Sequence, residues 1–211
     1  MISKRLDSKL DSDVSSRLGQ TIDGGPAPDP YANAIYFNGI SDLVDFSDTL
    51  LPLRRDESWS MAVHVRPQKA STNPIITYHR GTSHRSGIVI SSTQVRAGTY
   101  GGPWNAVNNY PFTVDEWFHY TLTHNATGEV VTGYVNGAAV PSGSGASLGS
   151  LSGSNRSWGY SANGSIYYEG YMLQGNIYDK ILTTDEMLYL ATFGASGTDP
   201  GAPIHTLEED V

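Results

Sequence analysis

The chain has 211 residues, 13 Lys+Arg against 21 Asp+Glu, a formal net charge of −8 and no cysteine. Zero cysteine excludes disulfides, thiolate metal sites and a cysteine nucleophile. An acidic chain without a basic run is also a poor partner for nucleic-acid phosphates. No apolar stretch reaches the ~20 residues that span a bilayer. Residues 1–7 continue polar, without the apolar core of a secretory signal. The expectation is a soluble protein made in a cytosol, with no membrane insertion. Only 16% of residues are charged, while Gly is 23, Tyr 13 and Pro 11. That balance suits many strands and turns, and predicts an all-β body.

Residues 1–19 read as a helix. Ile2, Leu6, Leu10, Val14 and Leu18 recur every four residues. Each step of four drifts about 40° around a helix, so the five form a slanting apolar stripe. So short a helix is marginal alone in water, and its stripe must dock. It packs on its own β domain, on a partner, or on further copies of itself. Residues 20–33 hold Pro26, Pro28 and Pro30 and read as an extended linker. Residues 34–193 form the body. Residues 194–211 read as a polar tail, in which Asp199, Glu208, Glu209 and Asp210 carry four negative charges.

Within the body, apolar runs over 34–46 flank Asn38-Gly39, a strong hairpin signal because both positions tolerate positive φ. Residues 60–65 alternate, with Met61, Val63 and Val65 on one face, and Pro67 closes the run. Residues 75–78 and 88–91 flank a polar loop over 79–87. A further strand is expected over 95–100. Residues 117–123 set Phe118, Tyr120 and Leu122 on one face. Residues 130–135 run into a second Asn-Gly turn at 136–137, and 138–140 return. A long Gly/Ser loop spans 143–157, and the last strands are expected at 157–160 and 171–178. Thr183-Thr184-Asp185-Glu186 is a capping box that starts a short helix running through Leu190. Such strands and turns suggest two packed antiparallel sheets.

Five pieces, in this order, resemble the laminin-G-like, concanavalin A-like jelly-roll family. They are Phe37-Asn38-Gly39 with Asp42, Val44 and Phe46; residues 60–67, with His64 at the family's usual Trp; residues 115–123; residues 133–137; and residues 175–183 with Glu186. The resemblance spans roughly 34–190. It implies an antiparallel two-sheet jelly-roll sandwich with an N-terminal helix and a short C-terminal helix. It marks fold rather than function, since the fold hosts lectins, adhesins, spacers and enzymes. Leu10-Asp11-Ser12-Asp13-Val14-Ser15-Ser16-Arg17-Leu18 resembles short helical segments of bacteriophage tail and fibre proteins. That second likeness implies a virion protein, located in tail, fibre or head decoration and assembled in the host cytoplasm. Its partners would be other virion proteins, copies of itself and host-surface glycan. Ile2, Leu6, Leu10, Val14 and Leu18 are then the assembly residues.

No strand carries the spaced carboxylates by which glycosidases of this fold flank one bond, and no Gly-x-Ser-x-Gly elbow occurs. The expectation is therefore a non-enzymatic protein. Its rivals are a stand-alone carbohydrate-binding module, a purely structural particle component and a glycan-cleaving enzyme. The surface-recognition candidates are Tyr100, Trp104, Asn105, Asn108, Asn109 and Tyr110 in a loop over 100–110, because sugar rings stack on aromatic faces while amides bond hydroxyls. The alternative is that Trp104 and Tyr110 plug the end of the sandwich. Asn155, Trp158, Tyr160 and Asn163 form a similar set. His79, Arg80, His84 and Arg85 make a cationic loop, but two histidines five apart with no third ligand do not single out zinc. His119 matches a family core position and reads as a satisfied structural histidine. No cofactor is expected. Some family members bind Ca²⁺, for which Asp42, Asp45 and Asp48 qualify by chemistry alone.

Overall fold

The computed structural model describes residues 29–45, 57–70, 73–80, 84–91, 94–100, 105–127, 130–140, 155–161 and 166–207. The chain divides into two compact units, Met1–Ala32 and Asn33–Val211. In the first, residues 29–32 form a turn. The Asp29 carboxylate accepts from the Tyr31 amide at 2.9 Å, and the Asp29 carbonyl from the Ala32 amide at 3.1 Å. The expected helix over 1–19, with Ile2, Leu6, Leu10, Val14 and Leu18, lies outside the described residues.

The second unit is an antiparallel sandwich. One sheet has seven strands: β1 (Ile35–Asn38), β14 (Glu169–Tyr178), β3 (Trp59–Pro67), β8 (Phe118–Asn125), β9 (Val130–Val135) and β10 (Ala138–Ala139), in that order, with β15 (His205–Thr206) also pairing with β14. The other runs β2 (Val44–Asp45), β11 (Asn155–Trp158), β4 (Asn73–Arg80), β5 (His84–Ser91), β6 (Gln94–Tyr100) and β7 (Asn105–Pro111). Between β11 and β14 in sequence, β12 (Tyr160–Ser161) and β13 (Ile166–Tyr167) form a two-stranded ribbon.

Period-two alternation builds the core. Met61, Val63 and Val65 of β3, with Phe118, Tyr120 and Leu122 of β8, join Ile75, Ile88, Ile90, Val95 and Trp158 of the other sheet in one buried cluster. The expected faces of β3 and β8 are therefore the inward ones. Yet β3 is buried on both faces from Trp59 to Val65. Its outer residue Ala62 packs with Tyr178, Leu182, Met187 and Leu190 beneath helix α1 (Thr184–Ala191). The capping box forms as its residues require. Glu186 N–H donates to Thr183 Oγ1 at 3.3 Å, and Thr183 N–H donates back to the Glu186 carboxylate at 2.8 Å. Lys180 Nζ clamps the helix start, at 2.6 Å from both Glu186 Oε1 and the Pro200 carbonyl.

Four local expectations are corrected. Asn38-Gly39 does not close a hairpin: β1 pairs with β14 and β2 with β11, so the turn carries the chain from one sheet to the other. Its geometry is local, with Gly39 at φ 73 and Asn38 Oδ1 accepting from the Ile40 and Ser41 amides. A turn signal specifies the reversal, not the partner of each arm. The second such turn does close a hairpin, with Asn136 at φ 50, Gly137 at φ 79 and β10 pairing with β9. The polar stretch 79–87 is strand at both ends, because β4 runs to Arg80 and β5 starts at His84, paired with each other. Residues 105–110, expected within a loop, form β7 instead. Residues 194–207, read as part of a polar tail, belong to the sandwich. β15 pairs with β14 at Asn176 and Ile177, and Leu207 is fully buried in the core cluster. Burying that leucine gains roughly 1.5–3 kcal/mol and, with the strand pairing, seats an otherwise polar segment.

Candidate functional site

The six-stranded sheet brings together candidates that are far apart in sequence. β11 pairs Asn155 with His79 of β4, β5 sets Arg85 opposite His79, and β6 sets Tyr100 opposite Arg85. Asn155, His79, Arg85 and Tyr100 thus occupy one cross-strand row at the end of the sheet. The next step along the β4–β5 hairpin pairs Arg80 with His84. Residues directly opposite in an antiparallel pair are the closest neighbours a sheet makes. The sequence places these four in three separate segments, and only strand register unites them.

Beside the row, β6 and β7 form a hairpin with Thr99 opposite Asn105. Trp104, in its connection, lies outside the described residues. Asn108 and Asn109 sit where the register shifts, between the Val95–Tyr110 and Ala97–Val107 pairs. Two residues there oppose one, which is a bulge, and β7 is the last strand of its sheet. Tyr110 is half-buried and packs against the core. In the weaker set, Trp158 is fully buried, so it is a core residue. Tyr160 lies 4.8 Å from the Tyr167 ring across the β12–β13 ribbon, and Asn163 is outside the described residues.

Asp42 serves the turn between the sheets. Its carboxylate accepts from the Asn38 amide at 3.0 Å and the Asn38 side-chain amide at 2.9 Å. Asp45 is on β2, and Asp48 lies outside the described residues. Among the described residues no three His, Asp or Glu side chains gather as a metal would need.

His64, His119 and His124 of the seven-stranded sheet are buried. His64 and His119 face each other across β3 and β8 with ring centroids 4.6 Å apart. His64 stacks on Phe193 at 4.2 Å and 12°. An aromatic stacking role explains why an imidazole can stand where the family usually has Trp. Phe193 takes φ 53 just past the helix, where glycine is usual, and the stack holds it there. Burial pushes the His64 pKa down to about 4, against a smaller opposing pull from the Ala191 carbonyl. Burial, then the neighbouring His64, pushes His119 well below the usual histidine range. His119 is not fully satisfied: its Nδ1 is buried with no hydrogen-bond partner among the described residues. His124 is buried in β8, with Nδ1 3.0 Å from the Glu57 carbonyl oxygen.

Sequence reasoning missed one further grouping. Tyr36, Tyr171, Arg66 and Trp117 meet on the outer face of the seven-stranded sheet. Alternation within β1 and β14 marks Tyr36 and Tyr171 as outward, but nothing local reveals that these two strands pair.

No curated protein matches this chain. Among solved structures, domain 4 of AbnA, a GH43 extracellular arabinanase from Geobacillus stearothermophilus, solved with arabinotriose, has a TM-score of 0.62 at 18% identity, covering 75% of this chain and 76% of that one. The heptameric SAP-like pentraxin of Limulus polyphemus has a TM-score of 0.62 at 16% identity, covering 84% and 89%. The CBM40 of the Ruminococcus gnavus IT-sialidase, bound to α2,3 sialyllactose, has a TM-score of 0.57 at 11% identity, covering 75% and 96%. At such identities the likeness is one of fold. A family model described as the concanavalin A-like lectin/glucanases superfamily matches residues 38–187, and with that span from the inter-sheet turn to helix α1, this chain belongs to that superfamily.

Proposed function

We propose that this chain is a non-enzymatic glycan-binding sandwich carried on the virion of a tailed phage. In this reading residues 1–19 dock it, as a homo-oligomer, among other virion proteins. The sandwich then contacts host-surface glycan or decorates the particle. The observation that carries glycan recognition is the row of Asn155, His79, Arg85 and Tyr100, next to strand β7 with Asn105, Asn108, Asn109 and Tyr110. Amide, imidazole and guanidinium groups bond hydroxyls, and aromatic rings stack on sugar faces. The arabinotriose and sialyllactose complexes of two fold neighbours support a sugar as ligand. Several copies on one particle would add weak contacts into useful avidity.

The test is a glycan array probed with the full chain, Tyr100→Ala and Trp104→Ala. The expected result is binding that each substitution weakens about tenfold, the loss of one good stacking contact. An array blank at high protein concentration sinks the glycan reading, and hydrolysis of a bound glycan sinks the non-enzymatic one. Light scattering of the full chain beside a Δ1–33 truncation tests the assembly role. An oligomer that becomes a folded monomer supports it. Two monomers would instead leave a stand-alone binding module.

A further inference from the structure

We propose that the open half of the outer face of the seven-stranded sheet is a second glycan-binding surface, made by Tyr36, Tyr171 and Trp117 around the Arg66–Asp115 ion pair. It rests on the chain being a glycan binder, but it uses none of the residues of the six-stranded sheet.

Register builds the surface. Tyr36 is opposite Tyr171, Tyr171 is opposite Arg66, and Trp117 stands one step beyond the Val65–Phe118 pair. The Tyr36 and Tyr171 rings are 5.0 Å apart at 49°, and the Tyr171 and Trp117 rings 6.3 Å apart at 49°. Arg66 Cζ lies 5.5 Å from the Tyr171 ring centroid. Tyr36 is 47% exposed. Gly170 keeps β14 tight against β3 here, since a Cβ on it would collide with the Arg66 carbonyl oxygen.

The polar part is equally organised. Arg66 donates to the Asp115 carbonyl at 3.0 Å and to its carboxylate at 2.9 Å. Asp115 sits at φ 69, a left-handed conformation unusual for a residue other than glycine, and the two Arg66 contacts hold it there. Both side chains remain partly exposed, 35% and 56%. They keep donors and acceptors free to engage hydroxyls beside the rings.

Charge selects the occupant. Arg66 is paired with Asp115, and Lys69 with Glu169 at 3.7 Å, so these four groups sum to zero. An anionic membrane surface requires unpaired cations, and a charged protein partner requires a field of one sign. Neither is offered. Flat rings flanking paired donors and acceptors match a neutral sugar, which has an apolar ring face and hydroxyl edges. Three rings in file present more than one stacking face, so the ligand is an oligosaccharide.

The experiment titrates the full chain with cellotetraose, xylotetraose, mannotetraose and maltotetraose, following intrinsic tryptophan fluorescence. The variants are Tyr36→Ala, Tyr171→Ala and Tyr100→Ala, alone and combined, with thermal melts to verify folding. The expected result is binding of a neutral oligosaccharide that persists in Tyr100→Ala and falls about tenfold when Tyr36→Ala or Tyr171→Ala is added. Binding lost in Tyr100→Ala and untouched by folded Tyr36→Ala overturns this inference while leaving the proposed function standing. Binding confined to acidic glycans on the array also overturns it. A chain that binds no glycan at all overturns both.

Discussion

One sheet face in this molecule is used in two ways. Along β3, β8 and β14, the outer face of the seven-stranded sheet is half covered and half open. Under α1 it carries Ala62 against Met187 and Leu190, then His64 against His119 and Phe193. Two residues further along β3, Arg66 stands among Tyr171, Trp117 and Tyr36, and no helix among the described residues covers it. The strands are the same, but β14 shifts register between Leu173 and Asn176, with Gln174 at φ 51, at the boundary between the two halves. Side-chain chemistry differs as well: small apolar groups and stacked neutral rings accept a cover, whereas an ion pair among tyrosines tolerates water. The covered half supplies stability, and the open half is available for contact.

That contrast breaks most readily on the covered side. Met187 is 1% exposed, and Met187→Ala removes the centre of the cluster under the helix. Urea unfolding should show a loss of about 2–5 kcal/mol, the range for truncating a buried methionine. A loss below half a kcal/mol would mean that α1 does not hold the sheet.

Acid should weaken the same half. Folding holds His64 at about 4, below the 6.5 of an unperturbed histidine. As pH falls the unfolded chain therefore takes protons first. Its neutral form is fully favoured above pH 6.5, and the stability it contributes is lost progressively between there and 4. The linkage amounts to about 3 kcal/mol by pH 4. His64→Phe keeps a ring for Phe193 to stack on and removes the titration. Its stability should decline less steeply than wild type over that window, and parallel curves from the two proteins would refute the assignment.

The open half should respond least. Tyr36→Ala removes an exposed cross-strand pair worth roughly 0.2–1 kcal/mol. Its melting temperature should stay within a few degrees of wild type. A large drop would identify Tyr36 as a structural residue and remove the contrast between the halves.

The pattern of success in reading the chain follows from range. The inward faces of β3 and β8, the Asn136-Gly137 hairpin and the capping box at Thr183 and Glu186 were legible because each depends on neighbours within a few residues. Asn38-Gly39 shows the limit of such signals. Its reversal was legible, but its arms enter different sheets, and no dipeptide encodes that. Leu207 was lost for a related reason, since a lone leucine in a polar stretch carries no periodicity. The candidate row was legible only in pieces. Tyr100, Asn155 and the His79–Arg85 segment could each be singled out by composition, but their alignment depends on three separate strand registers.

Alternation, turn chemistry and capping residues are local, and by themselves they determined an all-β sandwich with a short capped helix. Which strand lies beside which is set by burying both inner faces at once, a condition on the whole chain. That condition alone decided that β1 meets β14, that the C-terminal segment completes the sheet, and that Tyr36, Tyr171, Arg66 and Trp117 share one surface.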